Sequence, residues 1–319
     1  IVVLYDGMHH AREPIGAEIC MKLIIHLLEN YGSDPQVDFW VDESEIFILP
    51  MINPEGWKYI TDEGLEYPFW RKNKRDNDGS GSFSPLIDGV DLNRNYASAW
   101  ELGDPDTSSE VYRGPEPFSE SEIQAKKQLV LEQKPVMGIT YHSFGEVVIY
   151  SNSVGGVYFP DNQHIAQVGA QIASNISTVA GGNYYSGFFG LEAGLSNYWM
   201  YVEAGCFEYC IETGTDFIPP FDLADQVSTA NLPGALFLLD RVRGPGITGI
   251  ITDSSSGEPL SATYKVLELY DPVITARTSE AIHGRYFRPL LPGSYTLEFS
   301  KEGYYSRVIE DVEVTDGNY

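Results

Sequence analysis

Up to Arg243 the sequence alternates between short apolar runs and stretches of helical spacing; after Arg243 the helical spacing stops. Such alternation calls for a sheet with helices packed on it, and its abrupt end calls for a second, all-β unit. Residues 1–5 read as a strand, Pro14 or Ile15 to Tyr31 as a helix stopped at Gly32, and Glu45 to Met51 as a second strand. Lys72 to Gly89 reads as a long polar loop. Ser119 to Gln133 reads as a helix with Ser119 as N-cap and Glu122 three residues on, a capping box. Val136 to Tyr141, Glu146 to Tyr150 and Phe207 to Ile211 read as strands, and Asn162 to Val179 as a helix. The expected fold class is therefore α/β, with a mixed central sheet flanked by helices over residues 1–243. Gly244-Pro245-Gly246 then breaks the chain. Strand patterns follow at Ile247–Thr252, Ala262–Leu269, Tyr286–Pro289, Tyr295–Phe299 and Val308–Val314, separated by turns, so residues 244–319 are expected to form a small all-β sandwich.

The net charge narrows the partners. It is -26 over 319 residues, and residues 244–319 carry only a small part of it. A phosphate backbone is bound through basic surface, so nucleic acid is excluded as a partner. The charge itself reads as a solubility device. No apolar run reaches the ~18 residues of a transmembrane segment. Cys206 and Cys210 are four apart, about 13 Å along a strand, too far for a disulfide, and are expected to fill the core. The chain opens at Ile1 directly in a β-branched run without an initiator Met, and a preceding segment is expected.

Chemistry is concentrated in Gly7-Met8-His9-His10-Ala11-Arg12-Glu13, between the first strand and the first helix. His10 and Glu13 have H-x-x-E spacing, which lets an imidazole and a carboxylate converge on one metal ion. A catalytic zinc ion takes three protein ligands and keeps one position open. His142 is the candidate third ligand, because it ends the apolar run from Met137 and so stands at a strand's carboxyl edge, where ligands of α/β sheets bind. His9 is the alternative to His10, at i,i+4 from Glu13.

The chain resembles the zinc carboxypeptidases. The matches run in order: His10-Ala11-Arg12-Glu13, Asn53-Pro54-Glu55-Gly56, Trp70-Arg71-Lys72-Asn73, Gly89-Val90-Asp91-Leu92-Asn93-Arg94-Asn95, Tyr112-Arg113-Gly114, Tyr141-His142-Ser143 and Glu212-Thr213-Gly214. The resemblance implies one Zn2+ per chain on His10, Glu13 and His142. It implies Glu212 as general base, Arg71 as the cation facing the oxyanion, and Asn93 with Arg94 as the clamp on a substrate's terminal carboxylate. Peptide or protein C-termini are then the substrate, and the setting is secreted, periplasmic or extracellular. Arg12 is expected to add positive charge nearby or to pair with a neighbouring acid. By the same resemblance Asn197, two before Trp199, lines the pocket for the departing residue, and Glu192 falls beside it. Either Glu192 faces solvent on a shortened loop, the favoured reading, or its carboxylate lines the pocket and favours Lys or Arg, so a broad preference leaning modestly to basic or polar residues is expected.

The family's mobile tyrosine has no clear counterpart: its place falls near Phe189-Gly190, with Tyr184, Tyr185, Tyr198 and Tyr201 close by. Residues 249–295 resemble the transthyretin-like domain of the regulatory carboxypeptidases, read as structural support. The loop Asp76-Asn77-Asp78-Gly79-Ser80-Gly81 has the alternating acids that suit Ca2+, but the twelfth position is Ile87, not Glu, and a solvated loop is the favoured reading. The rival functions are a cell-wall peptide or acyl-amino-acid amidohydrolase on the same fold, and a catalytically inactive binding protein.

Overall fold

The computed structural model describes residues 1–63, 67–154, 157–188 and 193–317. Its main sheet uses β1 (Val2–Gly7), β2 (Glu45–Leu49), β3 (Met137–His142), β4 (Val147–Tyr150), β7 (Tyr185–Gly187) and β8 (Phe207–Glu212). The order is β2-β1-β3-β8-β4-β7. β2, β1, β3 and β8 run parallel, whereas β4 is antiparallel to β8. A small hairpin of β5 (Ser153–Val154) and β6 (Val157–Tyr158) lies outside this sheet. The mixed α/β class expected from sequence is the one found.

Alternation along each strand sorts side chains between two layers. Val3 and Tyr5 of β1, Ile139 and Tyr141 of β3, and Phe207, Tyr209 and Ile211 of β8 share one core. Helices α1 (Ile15–Asn30), α5 (Asn162–Ser174) and α7 (Phe221–Arg241) pack into it, with α2 (Pro35–Glu43) at its margin. Leu4 turns to the opposite face, where Ile123 and Val130 of α4 (Ser121–Gln133) meet Leu92, Tyr96 and Trp199. The short helices α3 (Pro54–Lys58) and α6 (Ser196–Trp199) sit in the connections.

Several local expectations are corrected. α4 begins at Ser121 with Glu120 as N-cap and no side-chain capping bond. Ser119 is not the cap, because its hydroxyl donates to Glu120 Oε1 at 2.6 Å and accepts from Asn95 Nδ2 at 2.9 Å. Glu120 is buried and also holds Asn73 and Arg75, so the capping box loses to a tertiary network. α5 stops at Ser174, five residues before Val179; Asn175 folds back onto the carbonyl of Gln171. α2 and α7 were not expected. α2 carries an Asp34 cap that accepts from Gln36 N and a Pro at its first position. α7 has Pro233 in its interior, which masks its helical spacing. All three cysteines are buried and free, as core filling requires.

The second layer's polar centre is a charge cluster. Lys126 of α4 is fully buried, with Nζ 2.7 Å from Asp6 Oδ2, 3.0 Å from Glu208 Oε1 and 2.8 Å from Ser196 Oγ. Burial alone would depress the Lys126 pKa, but the Asp6 and Glu208 charges outweigh it and raise it well above the ordinary lysine value. Lys126→Met removes the cation and leaves two buried carboxylates facing each other. A loss of about 3–5 kcal/mol is expected in urea unfolding; a change below about 1 kcal/mol would show that the cluster is not integral to the core.

The C-terminal β-layers are two. β9 (Gly246–Ile250) pairs with β12 (Arg285–Pro289). β10 (Thr263–Val266), β11 (Arg277–Thr278), β13 (Gly293–Ser300) and β14 (Arg307–Val314) form an antiparallel sheet in the order β11-β10-β13-β14. Ile247, Val266, Leu290, Leu297 and Val314 fill the space between them. The expected strand Ala262–Leu269 is shorter, because Leu267–Leu269 turns as a 3-10 helix.

Candidate active site

Three parallel strands deliver the site. Gly7 pairs with Tyr141 across β1 and β3, and His142 pairs with Glu212 across β3 and β8, so their carboxyl ends lie side by side. The chain leaves β1 through Met8, which has φ +58°, and enters α1 directly over this edge. A Cβ on Gly7 would lie 2.7 Å from the carbonyl carbon of Gly16, and one on Gly16 would lie 3.1 Å from Tyr141. Gly7 has no room for a side chain, and Gly16 leaves only a tight fit, so the pair lets α1 settle against the strand ends. That contact fixes the segment carrying His10 and Glu13.

His10, Glu13 and His142 are all buried, and one donor atom of each lies within 4.8 Å of the others. His10 Nδ1 is 2.9 Å from Glu13 Oε1; His142 Nδ1 is 3.0 Å from Glu13 Oε2 and 3.1 Å from His10 Nδ1. Burial pulls the His142 pKa down, which favours the neutral ring that ligates metal. Burial opposes ionisation of Glu13, but the charges and hydrogen bonds of His10 and His142 hold its carboxyl well below the usual range. Two ring nitrogens and a carboxylate, buried and turned toward one another, are a donor set that fits zinc. His9 is turned away: its Nε2 lies 2.8 Å from Tyr96 Oη and its ring stacks on His142.

Asp91 carried no assigned role in the sequence reading, and it organises this site. Its Oδ1 lies 3.1 Å from His10 Nε2, which leaves Nδ1 facing Glu13. Its Oδ2 accepts from Arg71 Nε at 2.8 Å. Burial alone would raise the Asp91 pKa; Arg71, His10 and Arg94 hold it well below the usual carboxylate value. A carboxylate behind a ligating histidine orients the ring. The available signal was its place two residues before Asn93, which says nothing of His10.

The other expected residues fall as follows. Arg71 also stands 3.8 Å from Glu13 Oε1, and the neighbouring carboxylates Asp91, Glu13 and Glu212 raise its pKa against the cost of burial. Arg94 Nη1 donates to the Asn93 carbonyl at 2.8 Å. Asn93 is engaged on both sides: Nδ2 lies 3.2 Å from His142 Nε2, and Oδ1 accepts from Ser196 N at 2.9 Å. Arg12 takes the second of its two expected roles. It pairs with Glu110 at 3.2 Å and lies over the Phe217 ring. Asn197 is 3% exposed, and among the described residues its Nδ2 has no hydrogen-bond partner.

Glu192 and the Phe189-Gly190 position of the covering tyrosine lie outside the described residues. Of the nearby tyrosines, Tyr184, Tyr198 and Tyr201 are buried, and Tyr185 is exposed. In the acidic loop, Asp76, Asp78 and Asp88 approach one another. Asp76 accepts from the amides of Gly79, Ser80 and Gly81, so the loop closes on its own hydrogen bonds.

A family model described as zinc carboxypeptidase matches residues 1–233. Carboxypeptidase D of Mus musculus is 27% identical over 322 residues, covering 94% of this chain and 21% of that protein. The chain therefore spans about a fifth of the length of that relative. The carboxypeptidase N catalytic chain of Homo sapiens is 25% identical over 338 residues, covering 95% of this chain and 69% of the relative. Among solved structures, the crystal structure of thrombin activatable fibrinolysis inhibitor (TAFI) has a TM-score of 0.65 at 21% identity, over 76% of this chain and 62% of the other, a likeness of fold. Since the family match spans more than half of its length, the chain belongs to the zinc carboxypeptidase family.

Proposed function

We propose that the chain is a zinc metallocarboxypeptidase that hydrolyses the C-terminal peptide bond of peptides or proteins. The convergence of His10, Glu13 and His142, with Arg71 and Glu212 at the same sheet edge, carries this reading. His10, Glu13 and His142 hold the metal. When bound, zinc brings the pKa of a water to about 7 and polarises a carbonyl. Glu212 takes the proton of the attacking water and passes it to the departing amine. Arg71, held by Asp91, keeps a fixed positive charge where negative charge develops on the carbonyl oxygen. Arg94 and Asn93 grip the terminal carboxylate, Arg94 through its guanidinium fork. Arg12, tied to Glu110, is neutralised there and has no part in the chemistry.

The clamp makes the enzyme depend on a free C-terminus. Mass spectrometry of a digest should show one residue removed at a time from free peptides, and little removed from the same peptides amidated. Arg94→Ala should cripple cleavage of the free peptides. Equal cleavage of free and amidated peptides would overturn the clamp and favour an endopeptidase or amidase. In the same digest, peptides ending in Arg, Phe and Gln report on Asn197. Its buried amide suits a polar or broad pocket, and a tenfold preference for Phe would exclude it.

We further infer two domains, residues 1–243 and 244–319, the second transthyretin-like. Separate hydrophobic cores support the division. Limited proteolysis that cuts first anywhere but the Gly244–Gly246 link would argue against it. Among the described residues, no helix is long and apolar enough to cross a membrane. The strong negative charge fits a secreted protein, and cell fractionation that finds it confined to the cytosol would overturn that setting.

A further inference from the structure

One short helical stretch joins the candidate site to the C-terminal β-layers. α6 runs on without a break into a π-helical turn, Met200–Ala204. Its first residues stand at the site. Ser196 N donates to Asn93 Oδ1 at 2.9 Å, and Ser196 Oγ donates to Glu208 Oε2 at 2.5 Å. Asn197 follows, buried.

The last turn is held from the other side. A helix end leaves backbone carbonyls without partners, and here the C-terminal β-layers supply the donors. Thr275 N donates to the Val202 carbonyl at 2.9 Å. Arg277 Nη1 donates to the carbonyl of Gly205, which closes the turn at φ +74°. Thr275 Oγ1 donates to Glu203 Oε2 at 2.6 Å. Asp161 accepts both from Tyr201 Oη at 2.7 Å and from Arg288 Nη2 at 2.5 Å, which ties the same turn to β12.

Packing alone does not fix where this stretch lies along its axis. Trp199 and Met200 belong to one core, and Tyr198, Tyr201 and Val202 to the other. Apolar contact is non-directional, whereas a hydrogen bond constrains both distance and angle. A π-helical turn is itself uncommon and is frequent at functional sites.

We propose that Thr275 and Arg277 are positioning residues for the substrate pocket: by capping the stretch that begins at Ser196, they set where Ser196 and Asn197 stand. The C-terminal β-layers thereby tune which terminal residue the site accepts, a consequence that rests on the carboxypeptidase reading above.

The test is Arg277→Met in the full chain, read in two ways. Hydrogen–deuterium exchange followed by mass spectrometry needs no activity. Amides of residues 196–199 should exchange about tenfold faster than in the native protein, while those of β3 keep their rate. Unchanged exchange at 196–199, or an equal rise in β3, would overturn the proposal. In kinetics, KM for peptides with a free C-terminus should rise about three- to tenfold with kcat within about twofold, and the ranking of peptides ending in Arg, Phe and Gln should change. A fall in kcat at unchanged KM and ranking would mean only less folded enzyme and would overturn it. If the native protein removes no C-terminal residue, the carboxypeptidase reading fails and the exchange result decides alone. Should Arg277→Met not fold, Thr275→Val should shift the same readings in the same direction and Thr275→Ser should restore them; no shift in Thr275→Val would overturn the proposal.

Discussion

Glu212→Gln should retain metal and substrate binding while turnover falls on the order of 10²–10⁴-fold or more, the range for losing a general base. The carboxylate ends β8 directly beside His142 in the strand register, so the amide changes its chemistry without moving the backbone. Because Gln cannot accept the proton, the loss should appear in kcat, with KM little changed. Steady-state kinetics on a peptide with a free C-terminus, beside metal analysis of the same preparation, makes the check. Turnover within about threefold of the native value would remove Glu212 from the base role. A fall matched by loss of metal would make its role structural.

His142→Ala should reduce metal content from one zinc per chain to near none at micromolar zinc, and activity with it. A group that hydrogen-bonds the far nitrogen of a ligating histidine is typically worth about 10–100-fold in metal affinity or activity, so loss of a ligand should exceed that range. His142 also touches His10 and Glu13, and the variant leaves Glu13 with one imidazole neighbour instead of two. Full occupancy in the variant would mean that the third ligand is misassigned. A chelator should abolish activity of the native protein, and restoring zinc should bring it back.

The chemistry on single elements was legible because its signals are local. His10 and Glu13 sit three apart at a strand-to-helix turn, and His142 closes an apolar run, so spacing and position mark them as candidates; choosing His10 over His9 rests on the family resemblance. Asp91 has no local signal of its role, since what it does depends on an imidazole 81 residues earlier. Lys126 looks like an ordinary helix lysine; only the fold places it between Asp6 and Glu208 on two separate strands. The same reason defeats the capping box at Ser119, whose hydroxyl is drawn to Glu120 and Asn95. α7 was hidden by Pro233, which conceals a buried stripe through Val227, Asn231, Ala235 and Leu238.

β8 lies between a parallel and an antiparallel neighbour, and its last residue faces both His142 and Val147. Side chains on a strand alternate faces, so a shift of one residue sends every one to the opposite side. An insertion or deletion between Glu208 and Glu212 would therefore turn one of the two to the opposite face, costing either the place of Glu212 beside His142 or the contact of Glu208 with Lys126. Length variation there is all-or-none, whereas the exposed tip of the polar loop, residues 78–82, can vary by degrees. A library that seeks new substrates on this scaffold should change loop lengths and hold the strand count fixed.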